Sequence, residues 1–188
     1  MILSRRLRTF ALTVHVTSSV GWLGAVAAFL ALAVAGLTSQ DAQTVRGAYL
    51  VMDLTGWFVL VPLSLASLFT GLIQSLGTEW GLFRHYWILA KLLMNLFATI
   101  VLLLYMQTLG YLAGVAAETT SSGGDLSGLR SPSPVFHAGA ALLLLLIAVT
   151  LSVFKPRGMT RYGQRKALER AQRARDVASM GEPRKLAR

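Results

Sequence analysis

Four long apolar stretches joined by short polar segments leave this chain few folds other than a bundle of membrane-spanning helices. Residues 10–37, 49–76, 86–117 and 135–154 form runs of 28, 28, 32 and 20 residues, and about 20 apolar residues suffice for a helix to cross a bilayer. Lipid offers the backbone no hydrogen-bond partners, so only helices and closed barrels can span it. These runs lack the apolar/polar alternation of barrel strands. The expected fold is all-α: a polytopic membrane protein, an antiparallel four-transmembrane-helix bundle over residues 1–154, followed by a basic tail over 155–188.

Lysine and arginine resist translocation, so their placement predicts the orientation. Arg5, Arg6 and Arg8 precede the first run, Arg84 lies in the second connection, and eleven cations fill the tail. The other two connections hold Arg46 and Arg130. Both ends are therefore expected in the cytoplasm and segments 38–48 and 118–134 outside, in a multi-pass protein of the plasma membrane. The net charge of +10 follows from this topology and gives no reason to expect a nucleic-acid partner. Cations near an anionic leaflet each contribute about 1 kcal/mol of attraction. The tail, with only Ala167, Ala171, Ala174 and Ala178 as an apolar stripe, reads as a solvated helix or coil drawn to anionic lipids.

The chain has no cysteine, which removes disulfides and thiolate metal sites. Ala33, Val34 and Ala35 resemble a signal-peptide cleavage site, but the preceding apolar run is about twice the length of a signal core, so the first helix is expected to be retained. Segment 118–134, rich in Ser, Gly and Pro, offers little apolar surface and is expected to be a flexible tether.

Polar residues inside apolar spans need a reason, because a charge at the centre of a spanning helix costs about 3 kcal/mol on insertion scales. His15, Ser18, Ser19 and Trp22 recur on one face of the first helix. Gly21, Gly24, Ala25 and Ala28 allow a second backbone to approach. The second run carries Asp53, Gly56, Trp57, Ser64, Ser67, Gly71 and Gln74 on a stripe expected to face protein, with a kink at Pro62. The third places Lys91, Asn95 and Thr99 on one face. By depth these form an inner group of His15, Lys91, Gln74 and His85, and an outer group of Asp53 and His137. Lys91 can either snorkel to the headgroups or face the bundle. His85 reads as part of an aromatic and cationic anchor belt and His137 as an interfacial residue, which leaves His15 as the leading ligand candidate.

The sequence His15-Val-Thr-Ser-Ser-Val-Gly-Trp-Leu-Gly24, followed two helices later by Tyr86-Trp-Ile-Leu-Ala-Lys-Leu-Leu93, resembles small four-helix bacterial membrane proteins of unknown function. These are related to the copper-resistance D and membrane protoporphyrinogen oxidase families. The resemblance covers helices 1 and 3 and otherwise rests on topology. It implies a b-type haem, with His15 as iron ligand and Lys91 as a second ligand or as the cationic partner of a propionate, in membrane electron transfer. The oxidases carry a basic, aromatic segment with a further histidine after helix 1; here residues 25–36 are wholly apolar, so the uncharacterised group is the nearest fit.

Three histidines without cysteine or a paired-methionine motif make a poor copper site. No Gly-x-Ser-x-Gly elbow, His-Glu-x-x-His or phosphate loop is present. Two other functions fit the residues: a non-catalytic scaffold docking partner membrane proteins, lipids or a second copy of itself, and a small transporter using Asp53 and His137.

Overall fold

The computed structural model describes residues 4–77, 83–118, 127–154 and 158–181. It is helical, with no strand among the described residues. Helix α1 is Arg5–Thr38 and α2 is Ala42–Thr55; a π-helical turn, Gly56–Leu60, joins α2 to α3, Val61–Gly77. Helices α4, Tyr86–Glu118, and α5, Ser133–Phe154, follow, then α6, Arg161–Gly181. Four helical stretches of 34, 35, 33 and 28 residues are long and apolar enough to cross a membrane. Large apolar side chains stand on their outer surfaces, among them Phe10, Phe58 and Phe154, each at least 70% exposed. So much exposed apolar surface is foreign to a water-soluble monomer.

Helix α1 packs against α2, α3 and α5, and α4 packs against the same three elements. The apolar core runs between them through Trp22, Phe29, Tyr49, Met52, Met106 and Leu109. Close approach is real at Gly21, whose missing side chain leaves room for Leu63, and at Gly36, where an added Cβ would stand 3.3 Å from the Tyr49 ring. Gly24 has nothing within 4 Å of that position, so no close approach depends on it.

Helix boundaries depart from the apolar runs where hydrogen bonding, not hydropathy, decides them. α1 begins at Arg5, capped by the Ser4 side chain, so the three leading arginines lie on the helix rather than before it. α2 begins at Ala42 instead of Tyr49 because Asp41 caps it, its carboxylate accepting from the amides of Gln43 and Thr44. The connection to α1 is therefore only three residues long.

Hydrogen bonds from the Thr44 side chain and backbone hold the Asp41 carboxyl below the usual carboxylate range. A group with a lowered folded-state pKa contributes stability that is complete above its unfolded value and is lost as pH falls through the folded one. Amide exchange in the first turn of α2 is accordingly expected to accelerate on acidification below about pH 4, and Asp41→Asn to flatten that dependence.

The kink expected at Pro62 takes the form of a widened turn just before it. Proline has no N–H to offer a carbonyl one turn back, and the chain answers with an i to i−5 bond from the Val61 amide to the Gly56 carbonyl. Trp57 falls on this turn and is 49% exposed, so it leaves the protein-facing stripe to which its spacing assigned it.

The expectation for segment 118–134 is corrected in its described part. Ser127–Leu129 forms a short 3₁₀ turn, and Leu129 is completely buried. The Tyr49 hydroxyl donates to the Leu129 carbonyl, and Arg130 donates to the Leu37 carbonyl at 2.9 Å. Residues 119–126 lie outside the described residues. The tail is helical over Arg161–Gly181 and docks on the turn before α4. The Thr160 amide donates to the Arg84 carbonyl at 2.9 Å, and its hydroxyl donates to the Phe83 carbonyl.

Candidate functional site

The polar residues of α1, α3 and α4 meet in one hydrogen-bonded seam. His15 Nδ1 lies 3.1 Å from the Ser67 carbonyl oxygen and 3.1 Å from Thr70 Oγ1. A carbonyl can only accept, so Nδ1 carries the proton and Nε2 the lone pair. Ser19 and Ser67 hydroxyls are 2.8 Å apart, and Asn95 Nδ2 donates to Ser67 Oγ at 3.3 Å. Ser67 thus joins three helices. The His15 ring fits because α3 presents Gly71 there: a Cβ at that position would stand 3.1 Å from His15 Cε1.

Interhelical hydrogen bonds in membrane bundles contribute about 0.6 kcal/mol each. Ser67→Ala, which removes two of them, is expected to lower stability in detergent by roughly 1 kcal/mol. Thermal unfolding against the wild type measures it.

Lys91 does not reach across to this seam. Its ammonium donates to Ser152 Oγ on α5 at 3.0 Å and lies 4.7 Å from the Trp87 ring centroid. Gln74 Nε2 donates to the Ala11 carbonyl, tying the end of α3 to the start of α1. His85 pairs with Met159 in an isolated bridge and is 6.2 Å from the Trp87 ring, on the side where the tail docks. The four inner candidates therefore have four different sets of partners and do not form one cluster.

The outer pair is also separated along α4. His137 stacks on Tyr105 with ring centroids 4.0 Å apart, while Asp53 Oδ1 approaches Gly110 at 3.9 Å from an added Cβ. Both Asp53 Oδ1 and Asn95 Oδ1 are buried without a hydrogen-bond partner among the described residues. Ser67, Thr70 and Ser152 are partners that residue-type reasoning did not single out as site residues. The spacing of Ser64, Ser67, Gly71 and Gln74 was the signal for the first of them, whereas the Lys91 to Ser152 pairing left none.

A b-type haem asks for a neutral imidazole with one nitrogen free. His15 meets that demand: its Nδ1–H is committed to a backbone carbonyl, the arrangement that orients ligating histidines, and Nε2 has no hydrogen bond among the described residues. Lys91, an ammonium held by a hydroxyl and a ring face, suits a carboxylate partner better than iron. No group of three or more His, Cys, Asp or Glu able to hold a bare metal ion occurs among the described residues. A cavity of about 120 Å³ opens between α1, α4 and α5 beside Tyr105 and His137. It does not reach His15, so a haem on that residue would be accommodated elsewhere on the bundle. No family model, curated protein or solved structure matches the chain.

Proposed function

We propose that the chain is an integral protein of the plasma membrane, an antiparallel bundle of four spanning helices with both ends cytoplasmic, that holds a b-type haem on His15 and serves in membrane electron transfer. The observation carrying the haem assignment is the tautomer of His15, with Nδ1–H on the Ser67 carbonyl and Nε2 without a hydrogen bond among the described residues. When bound, the haem would supply a one-electron couple. His15 would ligate it, Ser67 and Thr70 would orient the imidazole, and Lys91 would present a positive charge to a propionate. Partial burial of His15 against α3 would limit the access of water to the ligand, one of the ways a protein sets a haem potential.

The test is a visible spectrum, oxidised and dithionite-reduced, of protein purified under haem-replete conditions. A stoichiometric Soret band is expected, lost in His15→Ala and shifted in potential but retained in Lys91→Met. A folded, colourless wild type would end this reading.

A second reading, an ion-linked pathway, has one observation in its favour: the buried Oδ1 of Asp53, which has no hydrogen-bond partner among the described residues. Such a carboxylate in a spanning helix is a candidate proton or cation carrier. Flux in liposomes abolished by Asp53→Asn would support it, and flux unaltered by that change would remove it.

A further inference from the structure

The cavity between α1, α4 and α5 is walled by Trp22, Phe29, Met106 and Ala138, with Tyr105 and His137 completing it. Trp22, Phe29 and Met106 are each at most 4% exposed, so its floor is core. Its rim includes His137, an exposed residue, and Phe97, which is 61% exposed. The cavity therefore communicates with the outer surface of the bundle between α4 and α5, a surface made of apolar side chains.

Its size selects the occupant. An apolar cavity of roughly 150 Å³ stays dry and takes a benzene ring, and this one measures about 120 Å³. It holds one small ring, not a folded lipid headgroup.

Its polar atoms select further. His137 Nδ1 lies 2.9 Å from the Ser133 carbonyl, which fixes the proton on Nδ1 and leaves Nε2 as an acceptor. The Ser133 hydroxyl donates to the Tyr105 hydroxyl at 3.3 Å. Tyr105 Oη is thus satisfied as an acceptor, while its own proton has no partner among the described residues. Buried tyrosine hydroxyls usually find one. A donor and an acceptor without partners among the described residues thus belong to two stacked rings that line an otherwise apolar cavity.

We propose that this cavity binds the ring of a membrane-dissolved quinone or phenol: a six-membered ring bearing a carbonyl or hydroxyl oxygen, carried on an apolar tail that leaves between α4 and α5. The Tyr105 hydroxyl donates to the ring oxygen, and His137 Nε2 accepts where that oxygen is protonated. On α1, Trp22 and Phe29 lie 7 and 14 residues beyond His15, about 10 and 21 Å along the axis. The site is distinct from the histidine seam and does not depend on the haem reading.

The test is a titration of the protein in lipid nanodiscs with decyl-benzoquinone, read by fluorescence. With Trp57→Phe, Trp80→Phe and Trp87→Phe in place, Trp22 is the only tryptophan left and reports from the cavity wall. Saturable quenching is expected in this background and also when His15→Ala is added, so that failure of the haem assignment and failure of this one show separately. Tyr105→Phe, nearly isosteric, is expected to weaken binding about tenfold, the scale of one lost hydrogen bond, and Ala138→Leu to abolish it by filling the cavity. Decylbenzene, the same ring and tail without oxygen, should compete about tenfold more weakly. Quenching that grows in proportion to quinone in the lipid without saturating overturns the site. Equal affinity in Tyr105→Phe together with equal competition by decylbenzene shows a pocket for hydrocarbon alone and overturns the quinone assignment.

Discussion

Gly163→Ala is expected to detach α6 from the bundle. An added Cβ would fall inside contact distance of the Arg84 carbonyl oxygen, with Arg84 Cα and C only 3.1 and 3.2 Å away. These are backbone atoms of the turn that starts α4, so no rotamer change relieves the clash. That same turn accepts the Thr160 amide and hydroxyl, and Gly163 itself donates to Thr160 Oγ1. Pushing Gly163 outward breaks this small network together. Residues 161–177 of the helix it anchors are almost all exposed, and the ion pairs of Arg165 and Lys166 with Glu169 are local to α6. Trypsin cleavage within 161–181 is expected to accelerate about tenfold or more, in line with the loss of a low-stability local unit, while the thermal unfolding of the four long helices stays unchanged. Cleavage at the wild-type rate would show that the docking contributes nothing to the order of α6.

Leu129→Asp is the second change with a large expected effect. Leu129 is completely buried in a turn between α4 and α5, its carbonyl receives the Tyr49 hydroxyl, and the next residue reaches the end of α1. Truncating a buried leucine costs about 3 kcal/mol, and an uncompensated buried carboxylate adds to that. A loss of at least about 3 kcal/mol in detergent unfolding is expected, with faster amide exchange at the ends of α1 and α4 as well as in the turn. Leu129→Met, close in volume, should remain within about 1.5 kcal/mol of wild type. A silent Leu129→Asp would mean that the turn is not held in place by its apolar anchor.

The four long helices were legible because apolarity over 20 or more residues is a signal that does not depend on tertiary context. What hydropathy could not show is where those helices stop. α2 begins seven residues before its apolar run because Asp41 and Thr44 form a cap there, and capping is read from a few polar atoms rather than from a window average. The polar faces of α1, α3 and α4 were legible as stripes, and His15, Ser67 and Asn95 do converge. Lys91 was legible as a polar residue on the correct helix but not in its direction, because its partner Ser152 is 61 residues away and has no distinctive spacing. Trp57 went astray because the π-helical turn adds a residue to the repeat, rotating the positions around it off a 3.6-residue period. Leu129 was hidden by its composition: one leucine among Ser and Gly looks like tether, and only the tertiary fold shows the socket formed for it.

Arg46 and Arg130, each next to a break between long helices, have a consequence for how the chain is assembled. Arg46 donates through Nε to the Ala116 carbonyl at 2.8 Å, and Arg130 donates to the Leu37 carbonyl, so each guanidinium rests on the last turn of a long helix, where unpaired carbonyls concentrate negative charge. Neither acceptor is a neighbour in sequence: the separations are 70 and 93 residues. During synthesis Arg46 emerges long before the end of α4 exists, and Leu37 waits for Arg130 until the turn before α5 has been made. The two latches can close only after three long helices are complete, which makes them late events that lock a finished arrangement rather than contacts that guide its formation.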